Sequence, residues 1–247
     1  MNSKTPAEIV LMKKAGEMTR DTLNYVQTLI APGVSTAYLD QKAREFIESR
    51  GGIPSFLGYD GFPGSICASP NDMVVHGIPS ENVILKEGDI ISIDVGVIYK
   101  GYNGDAARTF PVGKISEEKA RLIKVTEMCF FEGIKHLKVG DRLGKLSYAI
   151  QEYAEKNGYS VVRELVGHGI GKRMHEPPNV PNYGKENDGP IIVNNSTIAI
   201  EPMINMGKKE IAMLRDGWGI VTKDGLPSAH YENTVLITNE GVEILTL

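Results

Sequence analysis

Two aspartates sit where a β-hairpin should hold valine or isoleucine. In IISIDVGVIYKGYNGDAARTF, residues 90–110, Asp94 and Asp105 interrupt two apolar runs joined by a tight turn near Tyr99–Gly101. Side chains alternate faces along a strand. Ile91, Ile93, Val95 and Val97 therefore share a core face, and Ser92, Asp94 and Gly96 share the other. After the turn, Asn103, Asp105, Ala107 and Thr109 lie on one face. Depending on the turn, the two acids sit opposite or diagonal across the ladder, roughly 4.5–8 Å apart. Buried carboxylates that close repel, so one takes up a proton or a cation lies between them. An arginine or backbone N–H groups would neutralise them equally well, and Arg108 is near enough to serve. The hairpin alone leaves both readings open.

A second pair of acids tips the balance. Ile198-Ala199-Ile200-Glu201 echoes Ile91-Ser92-Ile93-Asp94 at an offset of 107 residues. The same offset carries PGVSTAYLDQKAREFIESRGG, from Pro32, onto VGDRLGKLSYAIQEYAEKNGY, from Val139. Gly33 falls on Gly140, Leu39 on Leu146, Glu45 on Glu152 and Gly51 on Gly158. A repeat at a fixed period points to a duplicated chain. Glu232, in SAHYENTVLI, resembles the Asp105 strand in the second repeat. If the halves pack about a pseudo-twofold axis, Asp94, Asp105, Glu201 and Glu232 converge. Four buried negative charges are untenable unpaired, and two divalent cations would balance them.

The five histidines divide by setting. His168 lies between glycines in VGHGIGK and fits a single nitrogen ligand. His175 follows in RMHEPP, and His76 lies in VVHGIP. His230 is two residues from Glu232 and points to the same face if the strand is regular. His136 reads as a helix-surface residue among lysines. GHGIG lacks the spacing of a phosphate-binding loop and opens no helix. One imidazole with several carboxylates suits Mn²⁺, Fe²⁺, Co²⁺ or Zn²⁺ better than copper. Two such ions sharing a water would hydrolyse a carbonyl or phosphoryl centre. Tyr59, Phe62, Cys67 and Trp218 suit an apolar side chain better than a phosphate, which calls for basic residues.

These residues need elements to hold them. Each repeat reads as two helices followed by strands. The helices fall near 5–30 and 35–50, then near 116–137 and 142–157. Thr5-Pro6-Ala7-Glu8 looks like a capping box with proline in the first turn. Strands gathered at the end of each repeat predict an α+β fold with one central, mainly antiparallel sheet and helices outside. The whole chain, 1–247, reads as one domain with repeats of about 1–113 and 114–247. A net charge of −4 argues against a nucleic-acid partner. No apolar run reaches the roughly 18 residues of a membrane span. The N-terminus lacks the order of a signal peptide. Two cysteines, Cys67 and Cys129, are too few for a disulfide framework, so a reducing, cytoplasmic setting is expected.

The motifs NDMVVHGIP, IDVGVIYKGYNGDAARTF, GHGIG with MHEPP, IAIEPM and HYENTV, in that order, resemble type I methionine aminopeptidases of peptidase family M24. The resemblance spans nearly the whole chain. It implies the pita-bread fold, whose halves are a structural duplication, and removal of the initiator methionine when the next residue is small. It implies Asp94, Asp105, His168, Glu201 and Glu232 as ligands of two metal ions, with Asp105 and Glu232 bridging. Glu201 would also move a proton from the attacking water. His76 and His175 would steady the tetrahedral intermediate, and Tyr59, Phe62, Cys67, Met174 and Trp218 would line the methionine pocket. Its substrates would be N-terminal Met peptides and nascent chains, met at the ribosome.

The chain begins almost at the catalytic domain that the resemblance implies, and Glu201 and Glu232 are only 31 residues apart. Both features point to a bacterial-type, monomeric enzyme. Phe56 stands where the family pattern suggests a smaller residue, and Met174 where an aromatic is usual. A proline-specific dipeptidase of the same fold would share all five ligands but normally carries a further N-terminal domain. A non-catalytic pita-bread binding protein would be expected to have lost some of them.

Overall fold

Thr5 starts the first helix as a capping box. The Glu8 N–H donates to the Thr5 hydroxyl at 3.3 Å, and the Thr5 N–H donates to the Glu8 carboxylate at 2.8 Å. The computed structural model describes residues 1–247, with helices α1 (Pro6–Gln27), α2 (Thr36–Ser49), α3 (Glu117–Ile134) and α4 (Gly144–Lys156). Ser35 and Ser116 cap α2 and α3. The expected extensions to 30 and 137 are turns instead, so His136 follows α3 rather than lying on it.

The repeat is visible in the backbone. Gly51 and Gly158, at the offset of 107, both end a helix in the left-handed region, with φ of 77° and 85°. Each half also has its own core. Met18, Leu23, Leu39 and Ile47 of α1 and α2 pack on Ile91, Ile93, Val95 and Val97, which all face the helices as expected. Leu122, Phe130, Leu146 and Ile150 of α3 and α4 pack on Ile198, Ile200, Val235 and Ile237. A fully buried side chain of this size contributes about 1.5–3 kcal/mol, so these two clusters anchor the sheets.

All strand pairings are antiparallel. The expected central sheet consists of two. In one, Ile90–Tyr99 pairs with Tyr102–Pro111 on one edge and with Ile53–Pro54 and Ile66–Pro70 on the other. The other has the order Gly241–Ile244, Asn233–Thr238, Ser196–Ile200, Gly167–Gly169, Glu176–Val180. They meet where Tyr102–Pro111 runs beside Glu232: the N–H of each of Ala107 and Glu232 donates to the other's carbonyl, at 3.3 and 2.9 Å. Two further sheets have three strands each. Helix α1 crosses the hairpin closely, because a Cβ on Gly104 would come within 2.8 Å of the Ala15 backbone.

Candidate metal centre and its cavity

Hairpin register decides where the first two acids go. Lys100 and Gly101 both have positive φ, 46° and 82°, as a two-residue type I′ turn requires. That turn pairs Tyr99 with Tyr102, Gly96 with Asp105, Asp94 with Ala107 and Ser92 with Thr109. Asp94 and Asp105 are therefore diagonal neighbours on one face. The Ser92 and Thr109 hydroxyls share a hydrogen bond of 2.8 Å on that same face.

Arg108 does not neutralise them. It pairs with Ile93, on the opposite face. Its guanidinium donates to the carbonyls of Ala107, Glu232 and Thr246 and to Asn233 Oδ1, and it stacks 4.1 Å over the Tyr231 ring. None of these partners is a carboxylate.

The second half brings its acids to the same place. Glu201 follows directly on Ser196–Ile200, and Glu232 directly precedes Asn233–Thr238. His168 lies on the short strand Gly167–Gly169 beside Ala199. Its Nδ1–H donates to the Gly169 carbonyl at 2.9 Å, which fixes the tautomer and turns Nε2 towards the acids. Nε2 lies 3.6 Å from both Asp105 Oδ2 and Glu201 Oε1. That is too long for a hydrogen bond. It suits donors arranged about a common ion.

The electrostatics agree. Asp94 Oδ1, Asp105 Oδ1 and Glu232 Oε1 are buried without any hydrogen-bond partner. Burial and mutual repulsion push the carboxyls of Asp94 and Glu232 well above their ordinary range. Burial, with the Asp105 charge, does the same to Glu201, and burial lifts Asp105 to about 7. Burial also holds His168 down to about 4. A deprotonated imidazole beside acids with unshared oxygens is a donor set that fits divalent metal. Donor atoms of Asp105, His168 and Glu232, and of Asp94, His230 and Glu232, lie within 4.8 Å of one another in each group.

Asp94, Asp105, His168, Glu201 and Glu232 line a cavity of about 220 Å³. All twelve residues that the sequence nominated line it: Tyr59, Phe62, Cys67, His76, Asp94, Asp105, His168, Met174, His175, Glu201, Trp218 and Glu232. Cys67, Phe62 and Met174 are buried, whereas Tyr59 and His175 are exposed at the mouth. The Tyr59 hydroxyl and His175 Nδ1 share a hydrogen bond of 2.7 Å, and the His175 ring lies edge-on to His168 at 4.3 Å. Trp218 meets Phe62 at 5.1 Å and His76 at 6.5 Å, both edge-to-face. His76 is held at φ 59°, a strained setting for a non-glycine residue that aims its ring inward.

Some contributors were not legible beforehand. Asp60, at φ 48°, lines the mouth, and Arg108 grips the backbone of Glu232. Neither belongs to a spacing pattern; each is placed by a contact distant in sequence. Phe56 also lines the cavity, and it shares a wall with Met174. A Cβ on Gly96 would lie 2.7 Å from Phe56 Cε1 and 2.8 Å from Met174 Cε. The two departures from the family pattern thus occupy one volume.

Fold and site together define a hydrolase built to use divalent metal. The chain belongs to metallopeptidase family M24, whose sequence profile matches residues 10–239, and it has the pita-bread fold of that family. It is 53% identical to the methionine aminopeptidase of Clostridium acetobutylicum, over 99% of this chain and 98% of that one. The crystal structure of methionine aminopeptidase from Rickettsia prowazekii superposes with a TM-score of 0.98, at 41% identity and with both chains fully covered. The prolidase of Pyrococcus furiosus shares the fold alone, at TM-score 0.79 and 23% identity, and this chain covers 65% of it.

Proposed function

We propose that this chain is a methionyl aminopeptidase, which removes the initiator methionine from peptides and nascent proteins when the next residue is small. The observation that carries the reading is the cavity itself. Four carboxylates and His168 line it together with the apolar side chains of Phe62, Cys67, Met174 and Trp218, which suit an apolar substrate side chain. Identity of 53% with an enzyme of that name supports it.

In this reading Asp94, Asp105, His168, Glu201 and Glu232 would hold two divalent ions, of Co²⁺, Mn²⁺, Fe²⁺ or Zn²⁺, with Asp105 and Glu232 serving both. When bound they supply Lewis acidity towards the scissile carbonyl and a water that deprotonates near neutral pH. Glu201 Oε takes up the proton of the attacking water and passes it to the leaving amine. His175 has Nδ1 engaged by Tyr59, which leaves Nε2 for the substrate. His76 and His175 then donate to the oxygen that gains charge in the tetrahedral intermediate. Tyr59, Phe62, Cys67, Met174 and Trp218 hold the methionine side chain out of water.

We take residues 1–247 as one catalytic domain of two repeats, about 1–113 and 114–247, acting as a cytoplasmic monomer on chains emerging from the ribosome. No helix is long and apolar enough to cross a membrane. The test is cleavage of Met-Ala-Ser after chelation and after Mn²⁺ or Co²⁺ is added back, with an X-Pro dipeptide in parallel. Metal-dependent release of methionine is expected. Turnover of the X-Pro dipeptide alone would favour the dipeptidase. Stoichiometric metal without turnover of either would favour a binding protein.

A further inference from the structure

Two groups of donor atoms meet at Glu232, and each contains an imidazole. In the group of Asp105 and Glu232 it is His168; in the group of Asp94 and Glu232 it is His230. The five-ligand reading uses only the first.

His230 ends the strand Ser228–His230, and its backbone is pinned. Its N–H donates to the Thr109 hydroxyl at 2.8 Å, and its carbonyl accepts from that hydroxyl at 2.9 Å. Regular pairing stops before Glu232, yet the two side chains still point to one place: His230 Nε2 is 3.6 Å from Glu232 Oε2. The ring is 1% exposed, and neither nitrogen has a hydrogen-bond partner. Leaving a buried donor or acceptor without a partner is costly, so an imidazole left this way calls for an occupant. A hydrogen bond to Glu232 would close to about 2.7–3.2 Å. Two donors on one ion, each about 2.1 Å from it, stand about 3.4 Å apart at a tetrahedral angle. The His230–Glu232 separation matches that spacing, and it equals the separations around His168.

We infer that His230 is a nitrogen ligand of the second divalent ion, together with Asp94 and Glu232, so that each ion of the pair takes one imidazole. The inference rests on the proposed dinuclear centre and adds a ligand to it. A nitrogen donor at the second site also shifts its preference from Mn²⁺ towards Co²⁺ and Zn²⁺.

The experiment titrates chelator-stripped full-length protein with Co²⁺, followed by calorimetry and visible absorption, for the wild type, His230→Gln and His230→Asn. Thermal melting of the stripped proteins checks folding. The wild type should show two binding events. Both variants should keep the first and weaken the second at least about tenfold, with the absorption of the second equivalent altered. A second event within twofold of wild type in both variants overturns the inference. So does equal weakening of both events, which marks a packing effect, or a single event that neither substitution changes. Absence of Co²⁺ binding by the wild type would overturn the metal centre itself and the inference with it. An ordinary two-ion isotherm, insensitive to His230, removes only the sixth ligand.

Discussion

Ala107 and Glu232 exchange both of their backbone hydrogen bonds, at 3.3 and 2.9 Å, across the line where the two main sheets meet. A second clasp lies beside them: the Asp105 N–H donates to the Thr234 hydroxyl at 3.0 Å, and that hydroxyl donates to the Asp105 carbonyl at 2.9 Å. The distance between an acid of the first half and an acid of the second is therefore set by main chain. Rigid elements hold reacting groups more exactly than loops do.

Arg108 reinforces this junction from behind, gripping the carbonyls of Glu232 and Thr246. Arg108→Met should leave those carbonyls and Asn233 Oδ1 short of a donor. We expect a loss of about 2–4 kcal/mol in urea unfolding of the stripped protein, together with weaker Co²⁺ binding. Arg108→Lys should recover part of each. Binding and stability equal to wild type in Arg108→Met would show that the junction holds without it.

Glu201→Ala should lower kcat for Met-Ala-Ser by about 10²–10⁴, the usual weight of a general acid–base group. Metal occupancy should fall as well. The fold should survive, because the change deletes a buried, repelled carboxyl; circular dichroism and melting check that. Turnover near the wild-type rate would mean that the proton is carried elsewhere.

The stripped protein should lose stability as pH rises above about 6.5. Asp94, Glu201 and Glu232 have raised carboxyls, and Asp105 stands at about 7, so the native state keeps protons that the unfolded chain has released. Below about 6.5 the depressed imidazoles of His168 and His230, at about 4 and 3, oppose this, because the unfolded chain then binds protons that they refuse. Above it only the acids count. Stability should then fall by about 1.4 kcal/mol per pH unit for each carboxyl still protonated. Melting curves of stripped protein between pH 6.5 and 8 should show the decline, and Co²⁺-loaded protein should not. A flat profile for the stripped protein would contradict the crowding of these acids.

Phe56 and Met174 should behave as one unit. Both press on Gly96, so Phe56→Cys should open a void and Met174→Phe should overpack the wall, each raising KM for Met-Ala-Ser. The double variant, which exchanges bulk between the positions, should recover most of the loss, since cores tolerate volume-conserving swaps. Additive effects in the double-mutant cycle would show that the two side chains act independently.

The four helices and the alternation that gathers the acids on one strand face were readable in advance. Alternation along Ile91–Val97 separates a core face from an acid face, the offset of 107 carries Asp94 onto Glu201, and each half has two amphipathic helices before its strands. These are local signals, set by side-chain period and turn chemistry. The diagonal placement of Asp94 and Asp105 needed the register that the Lys100-Gly101 turn imposes. That Arg108 turns away from them follows from the same register, which puts it on the helix face.

Tertiary structure alone decided the rest. The split of the central layer into two sheets, the seam at Ala107 and Glu232, the unpartnered ring of His230 beside Glu232, and the shared wall of Phe56 and Met174 all join residues distant in sequence. No periodicity encodes such encounters. They arise when two separately packed cores close on each other, and only then do charges from both halves meet in a space too dry to screen them.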